Sequence, residues 1–172
     1  MRIIVIVLVL VAAIAGVVVA VHGFGFVGAR AIQPIAFNHR VHLEDAGLTC
    51  LDCHTDATTR VMAGLPGKEA CLDCHDADDE DTAGHPEKAK LIPFADSDAN
   101  IPWVRVAVTR PDVFFSHRRH VAAGGLECVR CHADQSTLTA PPPRVRLVMR
   151  MNDCLACHEE RNVSTDCIAC HR

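Results

Sequence analysis

The pattern Cys-x-x-Cys-His occurs five times, at Cys50 to His54, Cys71 to His75, Cys128 to His132, Cys154 to His158 and Cys167 to His171, and consumes all ten cysteines. Covalent attachment of haem needs two thiols about one helical turn apart, one for each vinyl group, and an imidazole next in line to reach the iron. Three other readings of paired cysteines fare worse. Structural zinc pairs two Cys-x-x-Cys knuckles per ion, which strands one of five and leaves the five histidines unexplained. A disulfide framework has no reason to repeat a histidine after each second cysteine. A thioredoxin-like redox pair needs one motif beside a strand-helix unit. The spacing therefore implies five covalently bound haems, attached at Cys50 and Cys53, Cys71 and Cys74, Cys128 and Cys131, Cys154 and Cys157, and Cys167 and Cys170.

Ahead of the first motif, Ile3 to Val21 is an uncharged apolar run of nineteen residues. As a helix it would extend about 28 Å, enough for a bilayer core. A signal peptide has a shorter apolar region of about 7 to 15 residues and a small-residue cleavage site, which His22, Phe24 and Phe26 supply poorly. The expectation is an uncleaved anchor over residues 1–22, with Arg2 on the cytoplasmic side and the rest of the chain beyond the membrane. With one Trp, no Tyr and six Phe in the whole chain, the porphyrins must supply much of the apolar core. A net charge of −4 gives no sign of nucleic-acid binding.

The chain also repeats itself. Phe37 to His54 realigns with Phe115 to His132 at a constant offset of 78, with nine of eighteen positions identical. Each copy opens Phe-x-His-x-x-His and reaches a haem motif eleven residues after its first histidine. The expected organisation is an anchor (1–22), a linker (23–33), a dihaem module (34–100) and a trihaem module (101–172). Asp76 to Asp81 reads as a solvated acidic loop, with docking of a basic partner as the alternative. A helix is expected near Glu87 to Leu91, an extended segment over Trp103 to Val108, and a stiff loop over Thr139 to Pro143. Short helices should carry the motifs.

His54, His75, His132, His158 and His171 are the proximal iron ligands in this reading, so five further axial groups are needed. Of the other six histidines, His22 lies at the membrane boundary. His39, His42, His85, His117 and His120 remain.

The Phe-x-His-x-x-His element before a haem motif resembles the opening of class III multihaem cytochromes c, the c3 and c7 types. The resemblance implies a mostly α fold with much irregular structure, organised around stacked haems. It also implies that His39 pairs with His54, His42 with His75, His117 with His132 and His120 with His158. Where c7-type modules place a further histidine, this chain has Met149 and Met151. Met151 is the first choice for the His171 haem, with His85 and Met149 in reserve; thioether ligation would raise that potential.

With its anchor and five motifs, the chain is similar to the pentahaem subunits of alternative complex III and to the multihaem subunits of menaquinone reductase complexes. That implies a single-pass subunit of a bacterial inner membrane, its haem domain in the periplasm, relaying electrons within a quinol-oxidising respiratory or photosynthetic complex. The partners implied are quinol-binding integral membrane subunits, an iron-sulfur periplasmic subunit, and a soluble cytochrome or oxidase as acceptor. No catalytic residue is expected in this chain. The alternatives are a quinol dehydrogenase feeding periplasmic reductases and a free-standing electron carrier.

Overall fold

A computed structural model describes residues 2–24, 28–76 and 84–171. Helix α1 (Arg2–Phe24) precedes everything else, and its side chains are described only over 4–17, where every residue is exposed. That stretch is shorter than a membrane span, and among the described residues no helix is long and apolar enough to cross a membrane. The side chains of Arg2 and His22, and the acidic run after Asp76, lie outside the described residues.

The remainder is partly helical, in short pieces joined by irregular chain. Helices α2 (Cys50–Cys53), α3 (Lys68–Leu72), α4 (Pro86–Ala89) and α5 (Ile92–Ala95) belong to the first half. Strands β1 (Ala107–Val108) and β2 (Arg146–Leu147), helix α6 (Met151–Glu160) and helix α7 (Cys167–Cys170) follow. Local chemistry starts several of these elements. Asp52 accepts the Thr49 N–H at 2.6 Å ahead of α2, and Asp153 accepts the Arg150 N–H at 2.8 Å ahead of α6, each satisfying a donor that a helix start leaves unpaired. Pro86 opens α4, where its missing N–H costs nothing. The helix anticipated near Glu87 to Leu91 thus begins one residue earlier and stops at Ala89, because Leu91 turns into the core. Of the segment expected to be extended, only Ala107 and Val108 join a strand, paired parallel with Arg146 and Leu147.

The protein core is thin. Ile35, Leu91 and Ile101 are buried together, with Cys71, Leu72, Phe94 and Trp103 packed around them. Polar ties hold α3 to this cluster: Lys68 donates to the carbonyls of Phe94 and Ser97, Asn100 accepts the Lys68 and Ile101 N–H groups, and Trp103 Nε1–H donates to Pro66 O at 3.0 Å. The segment after α1 is fastened to the second half. Ala31 N–H donates to Pro143 O at 2.8 Å, Val145 N–H donates to Ala29 O at 2.9 Å, and Gln33 clamps both backbone groups of Val104.

The two sequence copies have the same local structure. Each Phe-x-His-x-x-His element runs into a wide π-helical turn, Val41–Asp45 in one copy and Arg119–Ala123 in the other. Each turn is closed by a glycine at positive φ, Gly47 (70°) and Gly125 (61°), which are equivalent in the repeat. The copies interlock rather than follow one another: Arg40 N–H donates to Leu138 O at 3.0 Å, and Arg118 N–H donates to Arg60 O at 3.0 Å. Arg118 and Leu138 are the 78-residue counterparts of Arg40 and Arg60. The two bonds are therefore one contact made twice, in opposite directions, about an approximate two-fold axis.

Candidate haem-binding sites

Phe37 organises the first copy. Its ring stacks on His42 at 4.3 Å and 28°, and meets His39 edge-on at 4.8 Å and 86°. Phe115 does the same in the second copy, with His120 at 4.4 Å and 28° and His117 at 4.9 Å and 89°. One aromatic ring thus sets the directions of two imidazoles in each copy, because stacked and edge-on approaches are the favoured geometries.

These imidazoles face the motif histidines. His42 lies 5.9 Å from His75, His117 lies 6.4 Å from His132, and His120 lies 6.2 Å from His158, centre to centre. His39 is close enough to His54 that a charge on one would be felt by the other. Two imidazoles sharing one metal through nitrogen bonds of about 2 Å hold their ring centres about 6 Å apart. The three measured pairs have that separation. Among the described residues no group of three or more His, Cys, Asp and Glu is arranged to hold a metal ion; opposed pairs are what an iron already held by a porphyrin requires.

Hydrogen bonds at Nδ1 orient the rings. His42 Nδ1 is 2.8 Å from Asn38 O, His120 Nδ1 2.8 Å from Ser116 O, His54 Nδ1 3.1 Å from Gly64 O, His117 Nδ1 3.1 Å from Val61 O and His158 Nδ1 2.7 Å from Ser164 O. A proton at Nδ1 donating to a carbonyl leaves the Nε2 lone pair free for a metal and fixes the ring plane. His171 Nδ1 is 3.3 Å from the carboxylate of Asp112. The Nδ1 of His39 is buried with no hydrogen-bond partner. Burial pushes the pKa of His39 below the ordinary histidine value, aided by His54 and His42. Burial does the same at His132, followed by His117, His54 and Arg146. Both shifts favour the neutral ring, the form that binds metal.

None of the ten cysteines is paired in a disulfide. Burial raises the pKa of Cys53, Cys71, Cys128, Cys131 and Cys154. Short helical turns present most of the pairs: α2 carries Cys50 and Cys53, α6 carries Cys154 and Cys157, α7 carries Cys167 and Cys170, and a 3₁₀ turn starts at Cys128. Four motif histidines then donate their N–H to the carbonyl of their own first cysteine, at 2.9 Å for His54, His75 and His132 and 2.8 Å for His171. Met151 opens α6 with its side chain 57 % exposed, Met149 is half-buried, and His85 is an exposed residue at the start of α4. Arg105 is exposed.

The Nδ1 acceptors were not legible in the sequence, because a backbone carbonyl carries no residue signature. The local ones could have been anticipated, since Asn38 and Ser116 precede their histidines by four residues. Asp112 lies 59 positions from His171, and no pattern connects the two.

Thiol pairs that each end in an imidazole, three of them with a second imidazole opposed to the first, are what a multihaem c-type cytochrome, an electron-transfer protein, presents. The chain belongs to the family of cytochrome c7 and related cytochromes c, which matches residues 35–90 and 113–172. The matched segments bracket the two sequence copies. The chain is also 30 % identical, over 165 aligned residues, to the menaquinone reductase multihaem cytochrome c subunit of Nitratidesulfovibrio vulgaris (strain Hildenborough), an alignment taking in 81 % of this chain and 77 % of that one.

The residues present fit haem c. The ring separations suit two axial nitrogens on one iron, the Nδ1 bonds leave Nε2 available, and a core this thin suits a protein whose interior is shared with large apolar groups. When bound, haem supplies a one-electron iron couple whose potential depends on the axial ligands and their hydrogen bonds. The chain's own contribution is position and ligand basicity.

Proposed function

We propose that this chain is a membrane-anchored cytochrome c with five covalently attached haems, which relays electrons as a subunit of a quinone-linked complex of the bacterial inner membrane. The observation that carries the relay is the opposed imidazoles: His42 with His75, His117 with His132 and His120 with His158, to which we add His39 with His54. Such pairs leave no open coordination position for a substrate, so quinone chemistry belongs to partner subunits. For the haem of His171 the axial partner proposed is Met151, with Met149 and His85 in reserve.

The anchor reading is supported by the uncharged run Ile3 to Val21 and by its helical backbone in α1. It places the haem domain on the periplasmic side, as a dihaem unit over 34–100 and a trihaem unit over 101–172. The partners proposed are quinone-binding integral membrane subunits, an iron-sulfur periplasmic subunit, and a soluble cytochrome or oxidase. For the direction of flow, quinol oxidation toward a periplasmic acceptor is one reading. The name of the relative, a menaquinone reductase subunit, favours a second, in which electrons arrive from the periplasm and leave toward menaquinone.

The test is a redox titration followed by low-temperature EPR on membrane-extracted protein, with a stoichiometry of co-purifying subunits. Five low-spin haems, one at higher potential, together with integral membrane partners are expected. A high-spin haem near the membrane would replace the relay with a quinol dehydrogenase, and the absence of stable partners would leave a free-standing carrier.

A further inference from the structure

Four structural ties connect the five candidate sites, and each joins one site to the next. Phe37 holds both His39, which faces the first motif, and His42, which faces the second. The loop from Val61 to Gly64 holds two histidines of different copies: Gly64 O accepts from His54, and Val61 O accepts both the backbone N–H and Nδ1 of His117. This loop therefore binds the first motif to the third. Phe115 holds His117, which faces the third motif, and His120, which faces the fourth. Arg130 reinforces that tie by bonding Glu160 of α6 at 2.7 Å. Ser164 O accepts from His158, and the Ser164 hydroxyl bonds Asp166, the residue that caps α7, so the fourth and fifth motifs share a loop.

The thiols follow the same sequence of neighbours. Electrostatic interactions run from Cys53 to Cys71 and Cys74, from Cys50 to Cys128, from Cys131 to Cys157 and from Cys154 to Cys170. Cys50 and Cys128 are equivalent in the repeat, which puts their contact on the approximate two-fold axis. Of the ten cysteines only Cys74 and Cys167 are exposed, one in the second motif and one in the fifth.

We infer that the attachment sites form one unbranched series, Cys71–Cys74, Cys50–Cys53, Cys128–Cys131, Cys154–Cys157 and Cys167–Cys170, so that the first two run against chain order. The motifs ending in His75 and His171 are then its two termini, where electrons enter and leave. The motifs of His54 and His132 form the centre, and passage from one copy to the other occurs there. This deepens the relay proposed above and rests on that reading for the flow of electrons; the order of sites stands independently.

The test is NMR of the fully reduced, diamagnetic holoprotein, full chain in detergent micelles, with each porphyrin assigned through its own cysteine and histidine protons. Cross-relaxation between porphyrin substituents is expected for the site pairs 71/50, 50/128, 128/154 and 154/167, named by first cysteine. Lack of a cross-peak between the 50 and 128 sites, or a cross-peak between the 71 site and the 154 or 167 site, would overturn the series. Either result leaves the quinone-linked relay standing or falling on its own test, since porphyrin contacts do not depend on which partners the protein meets.

Discussion

Replacing Phe115 by Leu removes both ring contacts that aim His117 and His120 while keeping most of the apolar volume. Each aromatic pair contributes about 0.5–1.5 kcal/mol beyond area burial, so loss of the stacked contact at 4.4 Å and the edge contact at 4.9 Å costs about 1–3 kcal/mol. A volume-conserving apolar exchange adds less than about 1.5 kcal/mol. Guanidinium unfolding of the holoprotein, followed by haem absorbance, should show the midpoint falling with an unchanged slope. Phe37→Leu removes contacts of matching geometry, 4.3 Å and 4.8 Å, and should cost the same within error. The reasoning is refuted if either variant loses less than about 0.5 kcal/mol, below the range for one such pair, or if the cost is confined to one copy.

Three further outcomes are expected. Because the planes of His117 and His132 are 9° apart and those of His120 and His158 are 33° apart, while His42 and His75 cross at 74°, oxidised EPR should contain rhombic low-spin signals from the first two sites and a strongly anisotropic one from the third. Rhombic signals alone, in every variant, would contradict that geometry. Gly47→Ala and Gly125→Ala each force a side chain into the left-handed region with nothing within 4 Å of the added carbon, so each should cost about 1–2 kcal/mol of stability for the backbone alone. Finally, Lys90 and the Ala36 N–H hold the Glu87 carboxyl below its usual 4.5. The stabilisation is full above that value and is lost as pH falls through the lower folded pKa. Glu87→Gln should therefore be slightly destabilising near neutrality, with the difference from the native chain shrinking as unfolding is repeated at successively lower pH below the carboxyl's ordinary value.

The attachment chemistry could be read from the chain alone, because a haem motif is local: two thiols and an imidazole within five residues. The repeat was equally legible, since identity at a fixed offset needs no contacts. So were short helices around the motifs, where cap residues such as Asp52 and Asp153 act over three positions. The element between Phe37 and His42 was recognisable by residue type, but its wide turn was not, since no residue type marks the change from one helical hydrogen-bond ladder to another.

What tertiary structure decided is how the copies meet. An offset of 78 is compatible with modules placed end to end, side by side or interlocked, and sequence similarity is blind to the difference. The reciprocal bonds from Arg40 to Leu138 and from Arg118 to Arg60 choose the interlocked arrangement, and they do so through backbone groups that any residues would present. The same holds for Val61 and Gly64, whose carbonyls serve histidines of both copies; Asp112 beside His171 is a side-chain contact, but between residues far apart in the sequence. The sequence by itself determined that the chain is a c-type cytochrome and which thiols and imidazoles are proposed to attach the haems. How the two copies meet was decided by tertiary structure, largely through long-range hydrogen bonds to backbone carbonyls, which leave no trace in residue type.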